Sequence, residues 1–249
     1  MPNIEPELLA QAYQQSRKDL TSYLTRMVVR PDIAEELVQQ TALKLMEAET
    51  PPADPEGVRA WLFRAATNLA IDHLRRHSTW RENVLVETRE RAIGDEAFVA
   101  ESQLLRGSPE TKAIAREHLA VCFACTLRNI TPQHASALLL AEVYGFTVQE
   151  AAQILGASAG QTKSWIQSAR AKLREKYQET CALVTKQGVC YQCTELSEFF
   201  TGRKEDPLDG TARDIDARLA ILRQHRDTLG PWHRLMMRIV DDVLGGGHP

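Results

Sequence analysis

The sequence predicts an all-α protein, and three observations indicate this class. Residues that favour helix (Ala, Leu, Gln, Glu and Arg) dominate long stretches of the 249-residue chain, and runs of β-branched residues are nearly absent. Hydrophobic residues make up 43% of the chain and charged residues 25%, as in an ordinary soluble globular protein. Apolar residues also recur at helical spacing in the first part of the chain. They are Leu20, Tyr23, Leu24, Met27, Ile33, Leu37, Leu43 and Met46.

Shifts in composition divide the chain into four segments. We expect a first helical domain over residues 1–91 and a linker over residues 92–111, where glycine and proline accumulate and periodicity is weak. A second helical domain is predicted over residues 112–177. Residues 178–249 form a small helical extension, called the tail below, which contains three of the five cysteines.

Prolines and glycines set the expected helix boundaries. In the first domain, three prolines between Thr50 and Pro55 interrupt the helices, and the next helix is predicted from about Val58 to His77. In the second domain, Pro132 opens a helix after Thr131. The tail is expected to hold two helices, over about Ala212–Thr228 and Trp232–Leu244.

The net charge, the apolar content and the number of cysteines argue against several classes of protein. The net charge of −3 disfavours coating of DNA by bulk electrostatics but allows local basic faces. No apolar stretch approaches the roughly 20 residues that span a bilayer, and Met1–Ala10 has no apolar signal region. A cytoplasmic protein without membrane contact is therefore expected, and its five cysteines favour thiol or metal chemistry over disulfides. Without paired carboxylates, a nucleophile with its base or a phosphate loop, no enzyme is predicted.

A helix-turn-helix is predicted over residues 145–166. Thr147 and Glu150 have the spacing of a capping box at the start of a short helix. Gly156 allows the tight turn that follows, and Ser158 can cap the second helix. In such a motif the second helix enters the DNA major groove. Its candidate DNA-binding residues are Gln161, Lys163, Ser164, Gln167 and Arg170.

Two segments of the first domain carry a resemblance to a known family. Ala34–Leu45, with the sequence AEELVQQTALKL, resembles the region 2.2 helix of sigma factors. Val58–Arg76, VRAWLFRAATNLAIDHLRR, resembles sigma regions 2.3 and 2.4, and the helix-turn-helix block with Thr131–His134 resembles region 4. The order of these elements, with no large region between them, is similar to extracytoplasmic-function (ECF) sigma factors. The resemblance covers about residues 8–177.

The resemblance implies that the chain directs RNA polymerase core to promoters. Region 2 would bind the polymerase clamp and the promoter −10 element, where capture of a flipped base helps melting. Region 4 would bind the flap and read the −35 element, and an anti-sigma factor is a further candidate partner. The implied clamp contacts are Glu35, Glu36, Gln39 and Gln40. The implied −10 contacts are Arg59, Trp61, Arg64, Asn68, Asp72, Arg75 and Arg76.

Some of these assignments leave alternatives open. Core packing is an alternative role for Trp61 and Phe63 and the preferred one for Leu62. A hydrogen bond on the helix face is an alternative role for Asn68 and Asp72. Two departures from the family pattern concern DNA reading. Trp165 stands in the recognition helix where the family often has Arg, so the promoter sequence is not predicted, and Thr67 stands where Arg is common.

The cysteines suggest a metal or redox site. Cys181, Cys190 and Cys193 lie within 13 residues, and thiolates at CxxC spacing can bind one metal ion, typically zinc. Candidates for a fourth ligand are Cys122, Cys125, His225 and His233. Unreactive buried or half-exposed thiols are the alternative. A cysteine-containing tail is similar in kind to that of CorE-like ECF sigma factors, which implies regulation of the sigma domains by the tail.

Two other functional classes compete with this interpretation. A helix-turn-helix regulator could act on duplex DNA without polymerase, and the resemblance of Ala34–Leu45 to a clamp-binding helix disfavours it. A metal or redox enzyme is supported only by the thiols.

Overall fold

The computed structural model describes residues 6–76, 87, 90–92, 94–106, 127, 130–180, 214–224, 226, 235, 238–239 and 242–243. Every regular element in this part of the chain is an α-helix, which confirms the predicted all-α class. The helices are α1 (Pro6–Val28), α2 (Pro31–Met46), α3 (Pro55–Arg76), α4 (Glu96–Arg106), α5 (Pro132–Glu142), α6 (Val148–Leu155), α7 (Ala159–Thr180) and α8 (Ile215–Gln224).

The chain divides into two compact units. Unit 1 comprises residues 1–78 and 131–168, and unit 2 comprises residues 79–130 and 169–249. Of the predicted second domain, residues 131–168 belong to unit 1, while residues 112–130 and 169–177 belong to unit 2. Helix α4 lies inside the predicted linker.

The core of unit 1 forms where α1, α2 and α3 pack on one another. The periodic residues of α1 lie inside it, since Leu20, Tyr23 and Leu24 are fully buried. Leu62 and Phe63 of α3 are fully buried as well, which agrees with the core assignment of Leu62. Burial of each large apolar side chain stabilises such a core by about 1.5–3 kcal/mol.

The predicted start of α3 was wrong by one turn. The helix begins at Pro55 because proline is tolerated in a first helical turn, where its missing N–H would have no helical partner. The carboxylate of Asp54 accepts a hydrogen bond of 2.8 Å from the amide of Gly57 and caps the helix. The proline cluster therefore separates α2 from α3 and also starts α3.

The helix-turn-helix forms as the sequence predicts. The Thr147 side chain accepts from the amide of Glu150, whose carboxylate in turn accepts from the amide of Thr147, and this capping box starts α6. Gly156 ends α6 with φ of 64°, a left-handed conformation that glycine adopts without strain. The Ser158 hydroxyl accepts from the amide of Gln161 at the start of α7. Pro132 opens α5 after Thr131, also as predicted.

Unit 2 contains α4, the second half of α7 and α8. Asp95 caps α4 by accepting a 2.9 Å hydrogen bond from the amide of Phe98, a local signal that explains a helix where only a linker was expected. The apolar face of α8, formed by Ile215, Leu219 and Leu222, is buried. Among the described helices, none combines the length and apolar character that crossing a membrane requires.

Candidate nucleic-acid and polymerase interfaces

A cavity of about 450 Å³ lies between the C-terminal end of α2 and the exposed side of α3. Four of the predicted −10 contacts line it together. They are Trp61, Arg64, Asn68 and Asp72, and the other lining residues are Lys44, Glu47, Ala48, Ala65 and Leu69. The cavity thus combines one indole ring, small apolar side chains, an amide and charges of both signs. This is the chemistry needed to hold a planar heterocycle and hydrogen-bond its edge.

Two further predicted DNA contacts continue this side of α3 toward its end. Arg75 and Arg76 are exposed, and Arg75 lies 3.6 Å from the carboxylate of Asp72. An exposed ion pair of this kind contributes at most about 1 kcal/mol, so Arg75 is available to a stronger partner such as a phosphate. The α3 surface therefore offers a cavity followed by a basic end.

Arg59 lies in a different environment from the other predicted α3 contacts. Its guanidinium donates a 2.7 Å hydrogen bond to the carbonyl oxygen of Tyr144 and lies 3.6 Å from the carboxylate of Asp19. The guanidinium carbon is also 4.1 Å from the centroid of the Phe146 ring, a cation–π distance. Arg59 therefore contacts the α5–α6 turn in this structure, and its predicted role on DNA stays a prediction.

The N-terminal half of α7 presents the predicted major-groove residues to solvent. Gln161, Lys163, Ser164 and Gln167 are all exposed. The opposite face of the helix is buried, since Thr162 and Ile166 are both shielded from solvent. Trp165, the departure from the family pattern, is half-buried.

The ring of Trp165 lies 6.2 Å from the ring of His134 on α5, measured between centroids. Trp165 therefore contributes to the packing of α7 on α5.

Arg170 and the tail meet in unit 2. The guanidinium of Arg170 forms an ion pair with the carboxylate of Asp216 on α8. Arg218 of α8 is almost fully buried, and its guanidinium carbon lies 3.7 Å from the centroid of the Tyr177 ring. The structure thus places the first tail helix against the second half of α7.

The predicted polymerase contacts lie on α2 beside two exposed apolar side chains, Leu43 and Met46. Glu36 and Gln39 are exposed, while Glu35 and Gln40 are half-buried. Glu35 accepts a 2.9 Å hydrogen bond from Arg17, and Gln40 donates one of the same length to Glu36.

Leu43 and Met46, which belong to the helical periods of the sequence, are 52% and 73% exposed. Residues 39, 43 and 46 follow each other at helical spacing, so one face of α2 presents a glutamine and two large apolar side chains. A sequence signal for this was available, because Leu37, Thr41 and Leu45 already define a different, buried face.

One carboxylate in the helix-turn-helix has a shifted pKa. Hydrogen bonds from the backbone amide and the hydroxyl of Thr147 lower the pKa of Glu150, because they stabilise the charged form. Glu150 therefore stays ionised at mildly acidic pH, and the capping box stays closed.

The predicted metal site lies outside the described residues. This applies to Cys181, Cys190, Cys193, Cys122 and Cys125, and also to His225 and His233. Within the described part of the chain, no three His, Cys, Asp or Glu side chains are grouped as metal ligands. Zinc binding by the cysteines stays a prediction.

Comparison with protein families identifies two segments. Residues 12–79, which contain most of α1 and all of α2 and α3, match the family described as Sigma-70 region 2. Residues 127–175, which contain the helix-turn-helix, match the sigma-like domain of the response regulator PhyR. The chain thus contains a segment similar to sigma-70 region 2, followed by a segment similar to a sigma-like domain.

Several curated relatives of the chain are ECF sigma factors. The chain is 29% identical over 171 residues to the ECF RNA polymerase sigma factor SigG of Mycobacterium tuberculosis, which covers 64% of the chain and 45% of that protein. The match therefore spans about half the length of this relative. SigX of Bacillus subtilis, also an ECF sigma factor, is 26% identical over 158 residues, or 64% of the chain and 76% of SigX.

A third relative extends the similarity into the tail. The probable ECF sigma factor SigI of M. tuberculosis is 24% identical over 225 residues, which cover 88% of the chain and 74% of SigI. An alignment covering 88% of the chain must continue past residue 177. Together these similarities support the ECF sigma subfamily for this chain.

Proposed function

We propose that this chain is an ECF-type sigma factor, which directs RNA polymerase core to specific promoters and assists melting at the −10 element. The observation that carries the proposal is the cavity between α2 and α3, where Trp61, Asn68 and Asp72 come together. A base taken out of the duplex stack can lie against the indole ring, while the amide and the carboxylate hydrogen-bond its edge. Capturing the base lowers the cost of opening the duplex.

The charges next to the cavity suit the phosphates of the opened strand. Arg64 lines the cavity, and Arg75 and Arg76 are exposed about three turns further along α3. Aromatic stacking combined with a basic path is the usual way that proteins bind single-stranded nucleic acid. The exposed side chains of α7, Lys163 among them, read the −35 duplex in the major groove.

The exposed face of α2 is the docking surface for polymerase core. Gln39, Leu43 and Met46 form its centre, and Glu36 lies beside them. Large exposed apolar side chains with polar neighbours mark a protein–protein contact more than an ordinary solvated helix face. This surface separates a sigma factor from a helix-turn-helix regulator that acts without polymerase.

Run-off transcription with core polymerase and a pool of genomic promoters tests the proposal. Initiation at a subset of templates is expected only when the chain is added, since the chain has no catalytic activity of its own. Leu43→Glu with Met46→Glu should abolish co-purification with core and leave binding to −35 duplex unchanged. Initiation no better than that of core alone, on every template, would refute the proposal.

The tail regulates these activities. Support comes from α8, whose Asp216 forms an ion pair with Arg170, a residue predicted to contact DNA. A carboxylate on this guanidinium competes with a DNA phosphate for the same hydrogen-bond donors. Cys181, Cys190 and Cys193 lie in the sequence between α7 and α8, so zinc binding or oxidation there would change how α8 reaches α7.

Two sets of variants separate the ion pair from the thiols. Asp216→Asn should strengthen binding to −35 duplex several-fold, whereas Asp216→Glu, which keeps the charge, should not. Transcription by the full chain, by a variant ending at Tyr177, and by Cys190→Ser with Cys193→Ser should respond differently to chelator and added zinc. Metal analysis of the same proteins reports binding directly. Identical behaviour of all variants under every condition would reduce the tail to a structural appendix.

A further inference from the structure

Two ion pairs join the end of the tail to residues 79–130, which connect region 2 to the helix-turn-helix and are called the connector below. The guanidinium of Arg238 donates a 3.2 Å hydrogen bond to the carboxylate of Glu101 on α4, and the carboxylate of Asp242 lies 3.5 Å from the guanidinium of Arg91. The tail supplies the base in one pair and the acid in the other. The partners also follow in opposite order along the two segments, so a single direction of the tail satisfies both pairs.

Apolar side chains are buried between the paired charges on both segments. Phe98 lies between the two paired residues of the connector, Ile239 lies between the two paired residues of the tail, and both are almost fully buried. Ala92 of the connector and Leu235 of the tail are buried as well. A buried apolar centre with charged residues at its edge is the usual composition of a protein–protein contact. This segment of the tail is therefore docked on the connector.

The first helix of the tail makes a separate contact with α7. Asp216 of α8 forms an ion pair with Arg170, and the buried Arg218 lies on the ring of Tyr177. Leu235 follows the end of α8 by only about 11 residues. Two contacts joined by so short a chain stabilise each other, because each keeps the other at a high local concentration. Loss of the connector contact therefore raises the fraction of molecules in which α8 has left α7.

We propose that Glu101 and Arg91 are positioning residues that control the −35 contact of Arg170 through the tail. They hold the tail in place, and the docked tail keeps Asp216 on a guanidinium that would otherwise bind a phosphate. The inference rests on the proposed sigma function and adds that the connector, and not the thiols alone, sets how firmly the tail covers Arg170. Because DNA binds the fraction in which α8 is released, the apparent affinity for −35 duplex rises with that fraction.

The effect of one ion pair should be moderate. The side chains of both pairs are about half exposed, and an exposed pair changes an equilibrium constant by at most about fivefold. Loss of one pair should therefore tighten binding to −35 duplex by about two- to fivefold.

Charge reversal across the first pair tests the proposal in the full chain. Glu101→Arg and Arg238→Glu each replace attraction by repulsion, while the double variant restores an ion pair of reversed polarity. The two single variants change the net charge in opposite directions, so tighter binding by both cannot come from bulk attraction to DNA. Glu90→Arg makes the charge change of Glu101→Arg at an exposed position outside the two pairs and is the matched control. Arg91→Glu and Asp242→Arg, alone and together, repeat the test at the second pair.

Fluorescence anisotropy of a labelled −35 duplex measures the affinity. Each single variant should bind about two- to fivefold more tightly than the parent chain, whereas the double variants and the control should match the parent. In a chain that carries Asp216→Asn, Glu101→Arg should add little, because Arg170 is already released.

The outcomes separate the connector from the rest of the proposed function. If Asp216→Asn binds more tightly but the single variants do not, or if the double variants are no closer to the parent than the single ones, the role of the connector alone is overturned. If Asp216→Asn binds as the parent does, competition at Arg170 fails and the positioning role fails with it. A chain that binds no −35 duplex in any form also overturns the positioning role. If it does not initiate transcription with core either, the proposed sigma function itself fails.

Discussion

The two predicted DNA-reading helices, α3 and α7, are held in place by different means. One side of α3 is fixed by contacts distant in sequence, such as the 2.8 Å hydrogen bond between the hydroxyls of Thr67 and Tyr23. The position of α7 depends more on its neighbours in the chain, since Gly156 sets the turn before it and Ser158 caps its first turn. One helix is therefore positioned by tertiary packing, and the other by local backbone chemistry.

This difference explains why the motif around α7 could be recognised in detail from its sequence. Caps and turns involve residues three or four positions apart, and the capping box of α6 was predicted residue by residue. On α3, Arg59 and Arg64 lie five residues apart in the same basic pattern, yet one contacts the α5–α6 turn and the other lines the cavity. Only long-range packing separates their environments.

The largest effect is expected at the cavity of α3. Trp61→Ala should reduce promoter opening by about 5- to 150-fold, because loss of one base–aromatic stack costs about 1–3 kcal/mol. Closed-complex binding and the −35 footprint should stay unchanged. Permanganate reactivity of the −10 bases measures the opening, and Trp61→Phe, which keeps an aromatic ring at the same position, is the matched control. An equal loss of closed-complex binding would contradict a role in base capture.

A smaller effect is expected at the basic end of α3. Arg75→Ala and Arg76→Ala should each weaken opening several-fold and lower the slope of log affinity against log salt by about one unit on forked templates. Duplex that carries only the −35 element should bind as before. Unchanged slopes for both variants would remove the two arginines from the strand path.

Removal of the Lys163 charge on α7 should have the corresponding effect on binding to −35 duplex. Lys163→Gln should weaken −35 duplex binding several-fold and lower its salt slope by about one unit, while opening from a preformed closed complex is unaffected. Lys163→Arg keeps the positive charge and should retain the slope. If Lys163→Arg and Lys163→Gln give the same salt slope, Lys163 does not contact a phosphate, and it either reads a base edge or makes no contact with DNA.

The smallest effect tests the local positioning of the helix-turn-helix. Thr147→Ala should lower the free energy of unfolding by about 1 kcal/mol, as loss of an N-cap usually does.

The pKa of Glu150 is lowered in the folded state, so its contribution to stability is present above the ordinary carboxyl range and is lost as pH falls through the folded pKa. Glu150→Gln should therefore reduce the decrease in the free energy of unfolding that occurs as pH falls. Urea unfolding between neutral and acidic pH measures this decrease. The exposed Glu175→Gln on α7 should not change it.

Most of the helices could be predicted from the sequence. The contacts and the exposure of the site residues could be predicted only in part. The grouping of Trp61, Arg64, Asn68 and Asp72 was implied because they share one helix face. The exposure of Leu43 and Met46 was not predicted, because helical spacing by itself does not say which apolar side chains are buried. The helix within the predicted linker was missed because Asp95 was not recognised as its cap.

The sequence by itself determined the helices, the capped helix-turn-helix and the resemblance to sigma regions 2 and 4. These depend on spacings of a few residues, where backbone geometry leaves few alternatives. Tertiary structure decided that Arg59 contacts the Tyr144 carbonyl, that Arg170 forms an ion pair with Asp216, and that four aromatic rings join region 2 to the helix-turn-helix. Such contacts join residues 46 to more than 100 positions apart. Their partners are selected by how helix faces pack, which no short sequence pattern records.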